Sequence, residues 1–303
     1  MAPTMTADVT GLMSPVMIPF DDDGTIDLER VPDATAFTID CGADAVIAAG
    51  TAVAQELTAL TVPERMDLIT ETIDAAGTVD DDVPVFAGVS HPALPVVEDL
   101  CDHALDAGAD GLFLMPPWGI PPSDETVLAY YERVTEVTDV PVVLYNNPTT
   151  TFDLDRELMA EIMALPGVAY AKESSRNWRK LAWLLDEVHE PGEKHVFTTL
   201  DVLYQTLQMG GVGATMPPPV TAPAREIIDA YEDGDTERAL AVQRHLSKFP
   251  PGGARLNAAC KAAMKIAGCD VGGIRPPYPD VSDEVYAQIE DWMADVEIEG
   301  WTD

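Results

Sequence analysis

Eight short runs of β-branched and apolar residues recur along the chain, each followed by a stretch with helical spacing. The runs are residues 12–19, 45–49, 84–88, 111–115, 141–144, 168–172, 195–199 and 213–216. Helical patterns lie between them, among them 62–76, 93–107, 124–137, 155–164, 178–188 and 201–209. Strands alternating with helices build βαβ units and a parallel sheet. Eight such units fit a closed (β/α)₈ TIM barrel better than an open doubly wound sheet, and a chain of 303 residues has room for one. A faint internal repeat agrees. C-G-A-D-A at 41–45 recurs as A-G-A-D-G at 107–111, with M-G-G-V-G at 209–213 as a looser copy. Each copy puts a glycine where a helix ends and a strand begins, a place that calls for positive φ. A turn signal at 231–235 closes the eighth unit. Helical patterns at 236–249, 256–267 and 282–298 follow, punctuated by prolines and glycines. The expected organisation is a barrel over 1–233 and a C-terminal helical extension of three helices over 234–303.

Charge narrows the class of function. The chain carries 53 Asp and Glu against 17 Lys and Arg, a formal net charge of −36. Such a field repels nucleic acid and anionic membrane surfaces. The acids are spread over the whole chain rather than gathered in a tail, which points to a folded protein of a high-salt cytosol, where screening removes the self-repulsion. No apolar run reaches the roughly 20 residues of a membrane helix. The N-terminal M-A-P-T-M-T-A-D-V-T-G has neither a basic region nor an apolar stretch, so no signal peptide is expected and the chain is placed in the cytoplasm. Cys41, Cys101, Cys260 and Cys269 show no C-x-x-C spacing and read as buried thiols. The five histidines form no H-x-x-H or H-E-x-x-H pattern, so no metal site is expected.

Barrel chemistry gathers at the C-terminal ends of the strands. Of the six lysines (172, 180, 194, 248, 261 and 265), only Lys172 ends a strand, in V-A-Y-A-K. A lysine buried in a barrel readily shifts its pKa and becomes a nucleophile. The competing reading is a lysine that snorkels to the surface or pairs with Glu173. One strand earlier, Y-N-N-P places Tyr145 at the neighbouring strand end, where a phenol can relay protons. The second strand ends in A-A-G-T-A. There Gly50 allows a tight turn, and the amides of Thr51 and Ala52 can point at a carboxylate.

These segments together resemble the dihydrodipicolinate synthase and N-acetylneuraminate lyase superfamily of Schiff-base (class I) aldolases, over nearly the whole chain. The matching segments are M-I-P-F-D-D-D-G-T-I-D (17–27), G-T-A-V-A-Q-E (50–56) followed by Leu60-Thr61 and Glu64-Arg65, P-V-F-A-G (84–88), Y-N-N-P, A-K-E-S (171–174), G-G-V-G-A (210–214) and G-G-I-R-P-P (272–277). The resemblance implies that Lys172 forms an imine with pyruvate or a longer 2-keto acid and that Tyr145 shuttles the proton. It also implies that the amides of Thr51 and Ala52 hold the carboxylate while the Thr51 hydroxyl joins the tyrosine. Gly50, Thr215 and Trp118 complete the expected substrate contacts. No cofactor is implied, because the protonated imine is the electron sink. The implied partners are a small 2-keto acid and an aldehyde, and the implied assembly is a homotetramer.

Departures from the family refine the substrate. Ala52 stands for the second threonine of the family's G-T-T-G-E, with two extra residues before Glu56. Met115-Pro116-Pro117-Trp118 replaces a tyrosine pair. Thr149-Thr150-Thr151 occupies the stretch in which dihydrodipicolinate synthases carry an arginine for a second carboxylate. Hydroxyls in place of a cationic fork suit a neutral polyol. The leading expectation is therefore a 2-keto-3-deoxy sugar acid such as 2-keto-3-deoxygluconate. Dihydrodipicolinate synthase itself, a dehydratase, and a hydratase-aldolase that uses Trp118 to stack on a ring are the alternatives. A barrel that binds a keto acid without turnover is the reading outside enzymology.

Eleven arginines cannot pair with 53 carboxylates, and the Debye length grows from about 3 Å at 1 M salt to about 30 Å at 0.01 M. Dialysis to low salt should therefore lower activity and dissociate the oligomer, and molar KCl should restore both. Light scattering and activity across a KCl series check this. A tetramer equally active and heat-stable at 0.01 M and 2 M would rule it out.

Overall fold

A computed structural model describes residues 9–50, 59–120, 122–189, 193–250 and 256–295. Eight parallel strands close into a barrel in chain order. They are β1 (Gly11–Pro15), β2 (Ala45–Ala48), β3 (Val85–Gly88), β4 (Gly111–Leu114), β5 (Val142–Asn146), β6 (Val168–Glu173), β7 (His195–Thr198) and β8 (Gly213–Thr215). The helices outside are α1 (Val31–Asp40), α2 (Val62–Val79), α3 (Leu94–Ala107), α4 (Asp124–Val137), α5 (Arg156–Met163), α6 (Trp178–Glu187), α7 (Leu203–Gln208) and α8 (Thr221–Glu232). Three more follow, α9 (Thr236–Leu246), α10 (Leu256–Ile266) and α11 (Asp283–Ala294). All eight expected strands form. The first is shorter than its apolar run because Pro15 and Pro19 offer no N–H, and Val16 N to Ile47 O (3.1 Å) is the last bond to β2 before the chain leaves. Among the described residues, no helix is long and apolar enough to cross a membrane. Cys41, Cys101 and Cys260 are buried free thiols, and Cys269 is half-buried.

Two apolar layers hold the fold together. One lies between strands and helices, and the smaller one fills the barrel with Met13, Ile47, Phe86, Phe113, Val143, Tyr145, Tyr170 and Phe197. Strand alternation would normally decide which side chains enter that interior. In β6 a bulge intervenes. Val142 pairs with Val168 but Val143 pairs with Tyr170, so Ala169 is an extra residue. Val168 faces the helices, while Ala169 and Tyr170 both join the interior cluster. From there alternation resumes with its phase reversed, and Ala171 faces out. Tyr145 pairs with Lys172, and both face inward. Without the extra residue Lys172 would share the outward face with Val168.

The repeated glycine junctions do what the sequence predicts. Gly42, Gly108 and Gly210 have φ of 88°, 97° and 86°. In the two fuller copies the following aspartate also acts. Asp44 Oδ2 accepts from Leu12 N (2.6 Å) and Asp110 Oδ2 from Val85 N (2.8 Å), so each reaches the preceding strand. In the third copy Val212 stands at that position and its carbonyl receives Gly11 N (2.9 Å). Arg225 of α8 clasps the base further, bonding the Asp44 carboxylate and Gly42 O. Asp44→Ala removes the acceptor of a strand amide and the partner of a guanidinium together. It should lower unfolding stability by about 1–3 kcal/mol while sparing the opposite end of the barrel, as read from urea midpoints and from activity.

Candidate active site

Lys172 and Tyr145 stand side by side on adjacent strands at the C-terminal end of the barrel. The Lys172 side chain is only 4% exposed, and its Nζ lies 4.2 Å from the centre of the Tyr145 ring and 5.9 Å from that of Phe113. Phe197 flanks it in register on β7. Among the described residues it forms no salt bridge. The alternative pairing with Glu173 fails because successive residues of a strand point to opposite faces, and the bulge sets Glu173 on the outer one. There Glu173 meets Lys180 of α6 (3.2 Å) and the Asn146 amide (2.9 Å). Lys180 in turn bonds Asp153 (2.6 Å) and the Leu154 carbonyl. Burial among aromatic rings, with no counter-charge among the described residues, disfavours the ammonium and lowers the Lys172 pKa to about 7. A large share of the molecules therefore hold a neutral, nucleophilic amine at neutral pH.

Tyr145 is 2% exposed, and burial raises its pKa. Two neighbours oppose that rise, Ser174 on β6's exit and the Asn147 amide, whose Nδ2 donates to the phenol oxygen at 2.8 Å. The Ser174 hydroxyl is buried beside the phenol and, among the described residues, makes no hydrogen bond of standard geometry. Phe113 packs edge-on against the Tyr145 ring at 5.2 Å. Asn147 and Phe113 are site residues that sequence reasoning did not single out. The third letter of Y-N-N-P, an amide two residues beyond the tyrosine and so on the same strand face, was the available signal for Asn147.

The remaining expectations divide. Thr215 lies at the inward end of β8, and its hydroxyl is buried without a hydrogen-bond partner among the described residues. Trp118 is half-buried on the interior cluster, and its ring meets His91 edge-on at 6.1 Å. Gly50 closes β2, but the left-handed residue there is Ala49, with φ of 46°. Gly50 contributes by having no side chain. Its hydrogen gives space, since a Cβ would come within 2.6 Å of Ile47 Cγ2. Thr51 and Ala52 lie outside the described residues. Of the three threonines, Thr149 bonds Asn147 Oδ1 through its hydroxyl (2.7 Å), and the Thr151 hydroxyl reaches backbone carbonyls at 3.3 Å. The Thr150 oxygen alone is left buried and unpartnered.

Other matched segments meet away from this centre. Arg275 grips the Glu64 carboxylate at 2.6 and 3.1 Å and also bonds the carbonyls of Gly24 and Ala59. Its hydrogen bonds hold the Glu64 carboxyl down to about 2, and Glu64 also closes a capping box with Thr61 on α2. Arg65, fully buried, bonds the carbonyls of Ser90 and Gly88. These contacts pin the opening segment, α2 and the C-terminal segment together, an architectural task.

The lowered pKa has a direct consequence. Acylation of Lys172 by a small reagent should rise through pH 7 and level off above it, whereas exposed lysines gain reactivity only toward pH 10. Competitive labelling with peptide mapping checks this, and a Lys172 curve centred near 10 would contradict it.

Comparison with known proteins places this geometry. The profile of the Dihydrodipicolinate synthetase family matches residues 8–295. An uncharacterized DapA-like lyase of Halobacterium salinarum is 30% identical over 292 residues, covering 94% of this chain and 93% of that protein. The 4-hydroxy-tetrahydrodipicolinate synthase 1 of Halalkalibacterium halodurans is 28% identical, covering 92% and 94%. Among solved structures, YagE of E. coli K12, a member of the dihydrodipicolinic acid synthase family in complex with pyruvate, superposes with a TM-score of 0.84 at 24% identity, covering 95% and 98%. With the match running through both strand ends that carry Lys172 and Tyr145, the chain belongs to the Dihydrodipicolinate synthetase family.

Proposed function

We propose that this protein is a lyase that joins Lys172 to a 2-keto acid as a Schiff base and makes or breaks a C–C bond between pyruvate and an aldehyde. One observation carries the reading. Lys172 is buried among aromatic rings with no counter-charge among the described residues, its pKa near 7, beside a phenol on the next strand. A residue kept only for packing or binding has no use for an amine held neutral at such cost. No cofactor is required.

The chemistry follows from those two groups. The Lys172 amine adds to the keto carbon. The carbinolamine then loses water, its hydroxyl taking the Tyr145 proton as it leaves, and a protonated imine remains. In the cleavage direction the Tyr145 phenolate takes the proton from the C4 hydroxyl. The C3–C4 bond breaks, its electron pair moves into the imine to give an enamine, and the aldehyde departs. Protonation of the enamine carbon and hydrolysis release pyruvate and restore the amine. The resemblance to the family assigns the substrate carboxylate to the amides of Thr51 and Ala52 and a share in the proton relay to the Thr51 hydroxyl. Gly50 adjoins them in sequence, and Thr215 and Trp118 line the rest.

A 2-keto-3-deoxy sugar acid is the preferred substrate class. The unpartnered Thr150 and Thr215 hydroxyls suit neutral polyol groups. The arginine nearest Lys172 in sequence, Arg176, pairs through Nε with Asp201. The family's named synthases favour a second reading, condensation of pyruvate with aspartate semialdehyde.

Borohydride with pyruvate should attach a reduced pyruvyl group to Lys172 alone, and Lys172→Ala should abolish labelling and turnover. Label elsewhere, or none, ends the mechanism. Cleavage of 2-keto-3-deoxygluconate should far outpace condensation with aspartate semialdehyde, and the reverse preference would move the assignment to the synthase.

A further inference from the structure

The two asparagines of Y-N-N-P point to opposite faces of the strand end. Asn146 faces the helices, where its Nδ2 donates to Asp153 and Glu173 (both 2.9 Å) and its Oδ1 accepts Leu154 N (3.0 Å). Asn147 faces the interior and is 7% exposed. Its Oδ1 accepts two donors from one residue, Thr149 N at 3.2 Å and Thr149 Oγ1 at 2.7 Å. Those two donors settle which end of the amide is oxygen, so the end facing Tyr145 is the NH₂ group. The backbone turn beneath is closed by Thr150 N and Thr151 N, both 3.0 Å from Asn147 O.

We propose that Asn147 is the positioning residue of the Tyr145 phenol, aiming its proton into the barrel and holding the phenolate each time that proton is given up. This rests on the proton shuttle assigned to Tyr145 above. The phenol oxygen has one proton to give. By occupying an acceptor site, Asn147 Nδ2 leaves the O–H free to turn toward Lys172 and its adduct. When the proton leaves, the same N–H faces a full negative charge, and a hydrogen bond to a charged group is stronger than one to a neutral group. The Ser174 hydroxyl also opposes the rise in the Tyr145 pKa, but among the described residues it makes no hydrogen bond of standard geometry, whereas Asn147 Nδ2 holds the phenol oxygen directly. Among the described residues, the ionisable groups facing Tyr145 are Lys172 on β6 and Tyr131 on α4, which meets only its backbone. Glu173 is on the far face of β6, Phe113 on β4 is apolar, and Met115 offers no hydroxyl relay.

The test has one arm that needs no turnover and one that does. In the first, a fluorinated tyrosine is placed at position 145, which brings its ionisation into a range the folded protein tolerates, and its ¹⁹F signal is titrated. Asn147→Leu should raise that pKa by about one to two units, the effect of a lost hydrogen bond to a charged group. Thr149→Val, which frees half of the amide's anchor and alters only an exposed loop side chain, should raise it by less. An unchanged pKa in both variants overturns the proposal, whatever the enzyme does with keto acids. In the second arm, Asn147→Leu should lower kcat about 10–100-fold with KM little changed and move the Tyr145 limb of the pH profile upward. In a Tyr145→Phe background the same substitution should cost nothing further, because its route of action is gone. An equal, additive loss in that background marks Asn147 as structural only and overturns the proposal. Absence of pyruvate trapping in the wild type instead defeats the lyase reading and leaves the first arm to decide the role of Asn147.

Discussion

One inserted residue in β6 determines where the reactive amine lies. The Ala169 bulge turns the last residues of that strand through half a period. Lys172 then enters the barrel and Glu173 leaves it. Two opposite charges adjacent in sequence are thus separated by the sheet itself. Each is in an environment that suits it, the carboxylate bonded to Lys180, the Asn146 amide and Ser175 N, and the amine among rings. Had alternation run unbroken, Lys172 would have faced the helices, away from the rings that bury it. The low pKa of Lys172 is therefore a product of strand register before it is a product of any neighbour.

That register was not legible in V-A-Y-A-K. Strict alternation puts Val168, Tyr170 and Lys172 on one face, and nothing in the five letters marks Ala169 as the extra residue. The strands themselves were legible because short β-branched runs bounded by glycine and proline have few other uses. The barrel's base was legible too, since a left-handed glycine and an aspartate that caps the preceding strand recur as a spelled-out repeat. The second strand end was only half legible. A glycine there suggested a turn, yet Ala49 makes the left-handed turn while Gly50 supplies clearance, and the two roles look alike in sequence. Asn147 was visible but mute. An amide letter says nothing of its orientation until Thr149 fixes it.

The candidate site and the stabilising clasps occupy opposite ends of the same strands. At the base, Asp44, Asp110 and Arg225 bind strand starts. At the other end, apolar rings and unpartnered hydroxyls surround one amine. A third set of contacts, Arg275 with Glu64 and the carbonyls of Gly24 and Ala59, explains why segments distant in sequence look like the family without touching the amine. Family likeness in a barrel of this kind mixes hinges, clasps and reagents, and only geometry sorts them.

The adjacent amides of Asn146 and Asn147 work as a lever through the wall of the barrel. One arm is fastened outside to Asp153, Glu173 and, through them, to Lys180, and the other is fastened inside to the phenol. The strand end cannot twist to suit one amide without disturbing the other. If Tyr145 transfers the proton as proposed, the stiffness of that geometry comes from an ion network on the outer face of the sheet. A change of charge at Asp153, remote from the amine, would be inherited by the angle at which the tyrosine presents its proton.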